Sequence, residues 1–178
     1  YTLSLHDALP IITSNRINMP QVAEEVLARG DADIISMARP MLADADLVNK
    51  ARDGREDEIN TCIACNQACL DHTFTGKLTS CLVNARACRE TEVEIAPAAL
   101  AKDIAVVGAG PAGLAFATIA AERGHKVTLF EASDEIGGQF NLAKRIPGKE
   151  EFHETLRYFA RMIDVRGVTL RLGTRVDA

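Results

Sequence analysis

The chain has 178 residues, room for one ordinary domain or parts of two, with 20 Lys and Arg against 25 Asp and Glu for a net charge of −5. No basic block interrupts that balance, which sets nucleic acid aside as a partner, and the uncharged stretch 104–121 is cut by Gly108, Gly110, Pro111 and Gly113, so it reads as strand, turn and helix, not as a membrane span. Five cysteines, an odd number and mostly bunched, fit thiolate chemistry in a reducing compartment better than disulfides, and with no signal peptide visible they point to the cytoplasm.

Residues 1–8, Tyr-Thr-Leu-Ser-Leu-His-Asp-Ala, carry no periodicity and read as a non-native lead. With no Met at the start and an apparent strand just before the end, the chain reads as an internal fragment. Residues 10–13 predict a short buried strand. A helix follows over 20–29, with Val22, Ala23, Val26 and Leu27 on one face and Gly30 at its end. Residues 33–37 predict a second buried strand, and a helix runs from Arg39 through about residue 51, stopped by Asp53-Gly54. Strand, helix, strand, helix over residues 9–59 is α/β architecture.

The segment 60–89 holds Cys62-Ile-Ala-Cys65-Asn-Gln-Ala-Cys69, then an excursion of eleven residues, then Cys81. Residues 90–102 mix Ala, Pro and Glu without period and suit a linker. A second α/β unit, 103–178, opens with a strand over 104–107 and a helix over 111–123. After Gly124 come a strand over 127–130 and a loop with Gly137-Gly138-Gln139. An amphipathic helix with Phe152, Leu156, Phe159 and Ile163 at helical spacing ends at Gly167, before a strand over 168–172.

Three of these constellations carry chemistry. Thiolates are the protein ligands of iron–sulfur clusters, and three in eight residues can grip one cluster from a single loop, with Cys81 closing the site. Structural zinc is the first alternative and unligated thiols the last, but zinc usually joins two separated pairs, whereas here only Cys62 and Cys65 form a C-x2-C. Cys88 reads as packing and His72 as a solvated side chain, neither of them a ligand.

The run Val106-Val107-Gly108-Ala109-Gly110-Pro111-Ala112-Gly113 is a strand entering a dinucleotide-binding turn. Gly108 and Gly110 let the backbone turn and approach a pyrophosphate, and Gly113 permits close helix–strand packing. Glu131, at the end of the next strand, would accept from ribose hydroxyls and disfavour a 2′-phosphate, so the site suits FAD or NAD over NADP; Gly137-Gly138 tilts it towards FAD. Arg16 and Arg39 each fall two to three residues past a strand in consecutive units. That is where a (β/α)8 barrel commonly builds a phosphate site, although either alone reads as a surface charge.

Thr13-Ser-Asn-Arg-Ile-Asn18, Ser36-Met-Ala-Arg-Pro40, Asn60 through Cys69, Ser80-Cys-Leu-Val-Asn84 and Val106 through Gly113 together resemble the iron–sulfur branch of the old yellow enzyme flavoproteins, the branch of the bacterial NADPH-dependent 2,4-dienoyl-CoA reductases. The resemblance covers residues 10–178, and the cysteine spacing with its Asn-Gln-Ala insert is its most specific part. It implies that residues 9–59 are the end of an FMN-binding TIM barrel, 60–89 a 4Fe-4S segment, and 103–178 the start of a Rossmann-like FAD domain. Arg16, Ala38 and Arg39 would then hold the FMN phosphate, and Cys62, Cys65, Cys69 and Cys81 the cluster. Gly108, Gly110, Ala112, Gly113, Glu131, Gly138 and Gln139 would bind FAD, with Val176 a weaker candidate at the adenine.

On the same resemblance, NADPH binds outside this chain and the substrate is a small enoyl- or dienoyl-CoA. Its catalytic acid would lie upstream, so this piece alone would be inactive. An enoate reductase, a trimethylamine-dehydrogenase-like enzyme with ADP in the second site, or a stand-alone electron-transfer module are the other readings. Residues 10–55 make little sense without a barrel, which argues against the last.

Overall fold

The computed structural model describes residues 9–177, so the lead expected over residues 1–8 lies outside the described residues. The chain divides into two units, one ending at Cys88 and the other beginning at Arg89.

In the first unit, β1 (Ile12–Ser14) and β2 (Ile34–Ser36) lie parallel, with Ile12 opposite Ile34 and Ser14 opposite Ser36. Parallel strands need a crossover, and α1 (Pro20–Ala28) supplies it. Pro20 sits in the first turn, where a missing N–H costs nothing, and Gly30 at φ 72° lets the chain leave the helix. The strands are less buried than the sequence predicts: Ile12 and Ile34 are 62% and 48% exposed, while Thr13 and Ile35 are half-buried. The pleat sends alternate side chains to opposite faces, and the cover lies on the Thr13 and Ile35 face.

The long helix expected after Arg39 is two helices, α2 (Arg39–Ala43) and α3 (Leu47–Arg52). Asp44 breaks it. Its backbone is extended (φ −144°, ψ 101°), and its carboxylate accepts the Asp46 N–H at 3.0 Å, the side-chain turn that competes with helix. A 3-10 turn (Glu56–Glu58) then leads into the cysteine segment, where α4 (Leu70–Phe74) occupies the excursion between Cys69 and Cys81. Leu47 and Ile59, 1% and 0% exposed, anchor the core of this unit.

The second unit is a parallel three-stranded sheet in the order β3 (Asp103–Val107), β4 (Lys126–Phe130), β5 (Thr169–Arg171). Asp103 pairs with Lys126 and Thr128 with Thr169. The helices α5 (Pro111–Glu122) and α7 (Phe152–Val165) link the strands and pack together. Leu114, Ala117, Val127, Leu129, Leu156 and Ile163 form the core, so the helical spacing of α7 does bury its apolar stripe. The short α6 (Phe140–Ala143) stacks Phe140 on Phe152 at 5.0 Å between ring centroids. The expected linker, 90–102, is fastened to the end of α5: Ala98 N–H donates to the Arg123 carbonyl at 2.8 Å and Lys102 N–H to His125 Nδ1 at 3.1 Å. Among the described residues, no helix is long and apolar enough to cross a membrane.

Candidate functional site

All four predicted cysteines line one pocket in the first unit, together with Arg39 and Asn66. Local chain geometry brings them there. Ala64 (φ 51°) and Asn66 (φ 61°) are left-handed, which coils the segment from Cys62 to Cys69 tightly; such a conformation costs an alanine roughly 1–2 kcal/mol and is tolerated by asparagine. Ser80 N–H donates to the Ala68 carbonyl at 2.7 Å, closing the excursion and setting Cys81 beside Cys69.

Polar side chains outside the motif hold this coil to the strand–helix framework. Asn18 Nδ2 donates to the Cys62 carbonyl at 3.0 Å, and Asn84 Nδ2 to the Leu42 carbonyl at 2.9 Å. The buried Asn60 donates from Nδ2 to the Val83 carbonyl at 2.7 Å and from its backbone to Asp44 Oδ2 at 2.9 Å. Sequence reasoning missed these asparagines as a framework, although their bunching around the cysteines was visible. His72, expected in solvent, is half-buried, and its Nδ1 donates to the Leu78 carbonyl at 3.0 Å, pinning the excursion.

The thiols of Cys62 and Cys81 are pushed above the ordinary value by burial, the larger effect in each case. Backbone N–H groups oppose it, from Ala64 at Cys62 and from Val83 and Asn84 at Cys81. Donors aimed at sulfur stabilise a thiolate, the form that binds metal. All four are free thiols, and among the described residues no three His, Cys, Asp or Glu side chains are gathered to hold a single metal ion. The four thiols line one pocket without being gathered at a single point among the described residues. Cys88 is exposed and outside the pocket lining.

Arg39 and Arg16 follow the C-terminal ends of the paired strands β2 and β1, as the sequence implied. Arg16 is exposed and left-handed (φ 53°), directly after Asn15 (φ 80°), and Ala38 is exposed at the start of α2. The Arg39 guanidinium, however, turns to the cysteine coil: Nη1 donates to Asn66 Oδ1, and Nη2 to Asn15 Oδ1 at 3.0 Å.

In the second unit the glycine-rich turn has the expected form. Gly108 is left-handed (φ 96°), and its N–H donates to the Phe130 carbonyl at 2.7 Å. A Cβ on Gly113 would sit 1.9 Å from the Gly108 carbonyl oxygen, so only glycine lets α5 approach β3 this closely. A Cβ on Gly110 would meet nothing within 4 Å. The protein's own packing therefore leaves open the space where a pyrophosphate would approach, beside the Ala112 and Gly113 N–H groups of the first helical turn.

The second glycine pair folds back onto this turn. Gly137 N–H donates to the Ala109 carbonyl at 2.7 Å, and a Cβ on Gly138 would lie 3.4 Å from Gly110 Cα, which places Gln139 at the start of α6 near the turn. Glu131 is already engaged. Its carboxylate accepts the Ala109 N–H at 2.7 Å and, from Ser133, the N–H at 3.0 Å and the hydroxyl at 2.9 Å. The N–H donations, Ser133 first and then Ala109, hold it below the ordinary carboxylate range. Ser133 is a partner that sequence reasoning missed. Val176 is 43% exposed, two residues past Thr174, whose N–H donates to the Glu131 carbonyl at 2.8 Å.

Known proteins match both units. Residues 2–58 match the NADH:flavin oxidoreductase / NADH oxidase family, and residues 106–167 match the NAD(P)-binding Rossmann-like domain. Over residues 2–58 the chain is thus similar to flavin oxidoreductases. Among its relatives is a metal reductase of Desulforamulus reducens, 48% identical over 94% of this chain and 25% of the relative. A solved 2-naphthoyl-CoA reductase complex aligns with a TM-score of 0.92 and 43% identity over 95% of this chain and 26% of that one. Histamine dehydrogenase from Rhizobium sp. 4-9 aligns at 0.83 with 31% identity, over 94% and 25%. The chain thus spans about a quarter of the length of these relatives.

Proposed function

We propose that this chain is the electron-relay part of an iron–sulfur flavoprotein oxidoreductase: the end of an FMN-binding TIM barrel, a 4Fe-4S segment, and the start of an FAD domain. The observation that carries the reading is the single pocket lined by Cys62, Cys65, Cys69, Cys81 and Arg39, since Arg39 also stands at the strand end where a barrel binds phosphate. When bound, a 4Fe-4S cluster passes electrons singly between flavins that take them in pairs. The chain's own part is to hold and bias. Four thiolates would ligate the cluster, and N–H groups of Ala64, Val83 and Asn84 stabilise two of them. Arg16, Ala38 and Arg39 would hold the FMN phosphate.

Gly108, Gly110, Ala112 and Gly113 would cradle the FAD pyrophosphate, with Gly138 and Gln139 folded against them. Glu131, poised by Ser133, would turn to the ribose, and its charge would turn NADPH away to a site outside these residues. The overall reaction is then reduction of a carbon–carbon double bond of a small unsaturated acyl-CoA by hydride from NADPH and a proton, as in 2,4-dienoyl-CoA reductases. Likeness to 2-naphthoyl-CoA reductase at 43% identity supports a CoA thioester. Likeness to histamine dehydrogenase at 31% supports a second reading, amine oxidation.

Anaerobic assay of the intact enzyme decides between them. With NADPH it should reduce a 2,4-dienoyl-CoA, and extraction should release FMN and FAD in equal amounts. FMN with ADP, together with oxidation of an amine, would overturn the reductase reading.

A further inference from the structure

Arg39 is tied to the cysteine coil in a way that phosphate binding does not require. Its half-buried guanidinium lines the pocket and is anchored at both ends, on Asn66 Oδ1 within the coil and on Asn15 Oδ1 after β1. Asn66 lies between Cys65 and Cys69 and is left-handed, so its side chain is offered to Arg39 from the centre of the motif. A guanidinium has five N–H donors; two are engaged here, which leaves three for a phosphate. The two roles do not compete for donors.

A fixed positive charge in the wall of a half-buried pocket acts strongly on whatever charge the pocket holds. The potential of an iron–sulfur cluster depends on net charge, hydrogen bonding and exposure around it. A cation favours the reduced form, which carries one more negative charge, and so raises the potential. No other Lys or Arg lines this pocket among the described residues.

We propose that Arg39, held by Asn66 and Asn15, is a positioning residue that raises the reduction potential of the cluster bound by the four cysteines. The proposal rests on the iron–sulfur reading above. It is tested in the intact enzyme by anaerobic potentiometric titration with dithionite, following the electron paramagnetic resonance signal of the reduced cluster, with iron, sulfide and FMN measured on the same samples. Arg39→Gln should lower the midpoint potential, and Arg39→Lys should restore part of the loss. Asn66→Gly keeps the left-handed backbone but frees one end of the guanidinium; it should lower the potential with FMN content unchanged.

Wild-type potentials in both Arg39→Gln and Asn66→Gly would overturn the proposal. So would a shift in Arg39→Gln that follows FMN loss while Asn66→Gly stays at the wild-type value. If Arg39→Gln fails to retain iron, Arg39→Lys and Asn66→Gly decide in the same way. Failure of the underlying reading looks different: the wild-type enzyme would contain zinc and no sulfide.

Discussion

Asp44 accepts the backbone N–H of Asn60 at 2.9 Å through the same carboxylate oxygen that receives Lys50 Nζ at 2.6 Å. One buried charge thus ends α2, fixes α3 and sets the chain entering the cysteine coil two residues before Cys62. Both partners are well covered, at 7% and 16% side-chain exposure, so removing one leaves the other charged and desolvated. Asp44→Ala should cost about 3 kcal/mol, as for breaking a buried pair, and should also lower iron content. Urea unfolding checks the first part; an unchanged midpoint would show that the pair carries no such weight.

Gly113 and Gly110 belong to the same turn but should fail differently. Gly113→Ala forces a Cβ to within 1.9 Å of a backbone oxygen that cannot step aside, so it should destabilise the protein by roughly 1–3 kcal/mol or more and lose FAD. Gly110→Ala meets no atom within 4 Å and has an ordinary φ of −73°. It should keep its melting temperature in the flavin-free state yet retain less FAD. Thermal unfolding beside flavin analysis separates the two, and equal FAD retention by Gly110→Ala and wild type would remove the pyrophosphate from this turn.

What the sequence made legible was local and periodic. The cysteine spacing, the strand–turn–helix around Gly108 and Gly113, and the stripe on α7 all declare themselves within about twenty residues, and the turn and the stripe took the expected form. The break at Asp44 did not, because its local turn onto Asp46 is reinforced by Asn60, whose N–H donates to the same carboxylate from sixteen residues on. Arg39 was read from its place after a strand, but its partners Asn15 and Asn66 lie 24 and 27 residues away, and nothing in the spacing selects them. Glu131 was expected to wait for a ribose, yet a carboxylate beside the N–H groups of Ala109 and Ser133 takes the donors within reach. Long-range polar pairing is the information that a sequence pattern lacks.

The Glu131 carboxyl gives a pH signature. Ser133 and Ala109 N–H groups hold its folded pKa below the ordinary value of 4.5. As pH falls, the unfolded chain takes up this proton first, so the stabilisation is complete above that value and drains away towards the folded one. In flavin-depleted enzyme, wild type should therefore melt above Glu131→Gln at neutral pH, and the gap should close as pH drops below about 4.5. A gap of constant size across that range would mean that the hydrogen bonds do not discriminate the ionised form.

Cys81 and Cys88 test the cysteine pocket most directly. Both follow the excursion, and neither forms a disulfide, but Cys81 lines the pocket and receives N–H donors from Val83 and Asn84, whereas Cys88 is exposed. A serine oxygen at residue 81 keeps the side-chain volume but replaces a soft thiolate with a hard, weakly acidic alcohol, a poor match for iron in a cluster. Cys81→Ser in the intact enzyme should lose most of its iron and sulfide and its brown absorbance. Cys88→Ser should keep all three. Because Ser80 N–H closes the excursion on the Ala68 carbonyl by backbone alone, the fold around residue 81 should survive the substitution, and circular dichroism should show both variants folded. Full iron and sulfide in folded Cys81→Ser would leave this thiol outside the ligand set and reopen the assignment of all four.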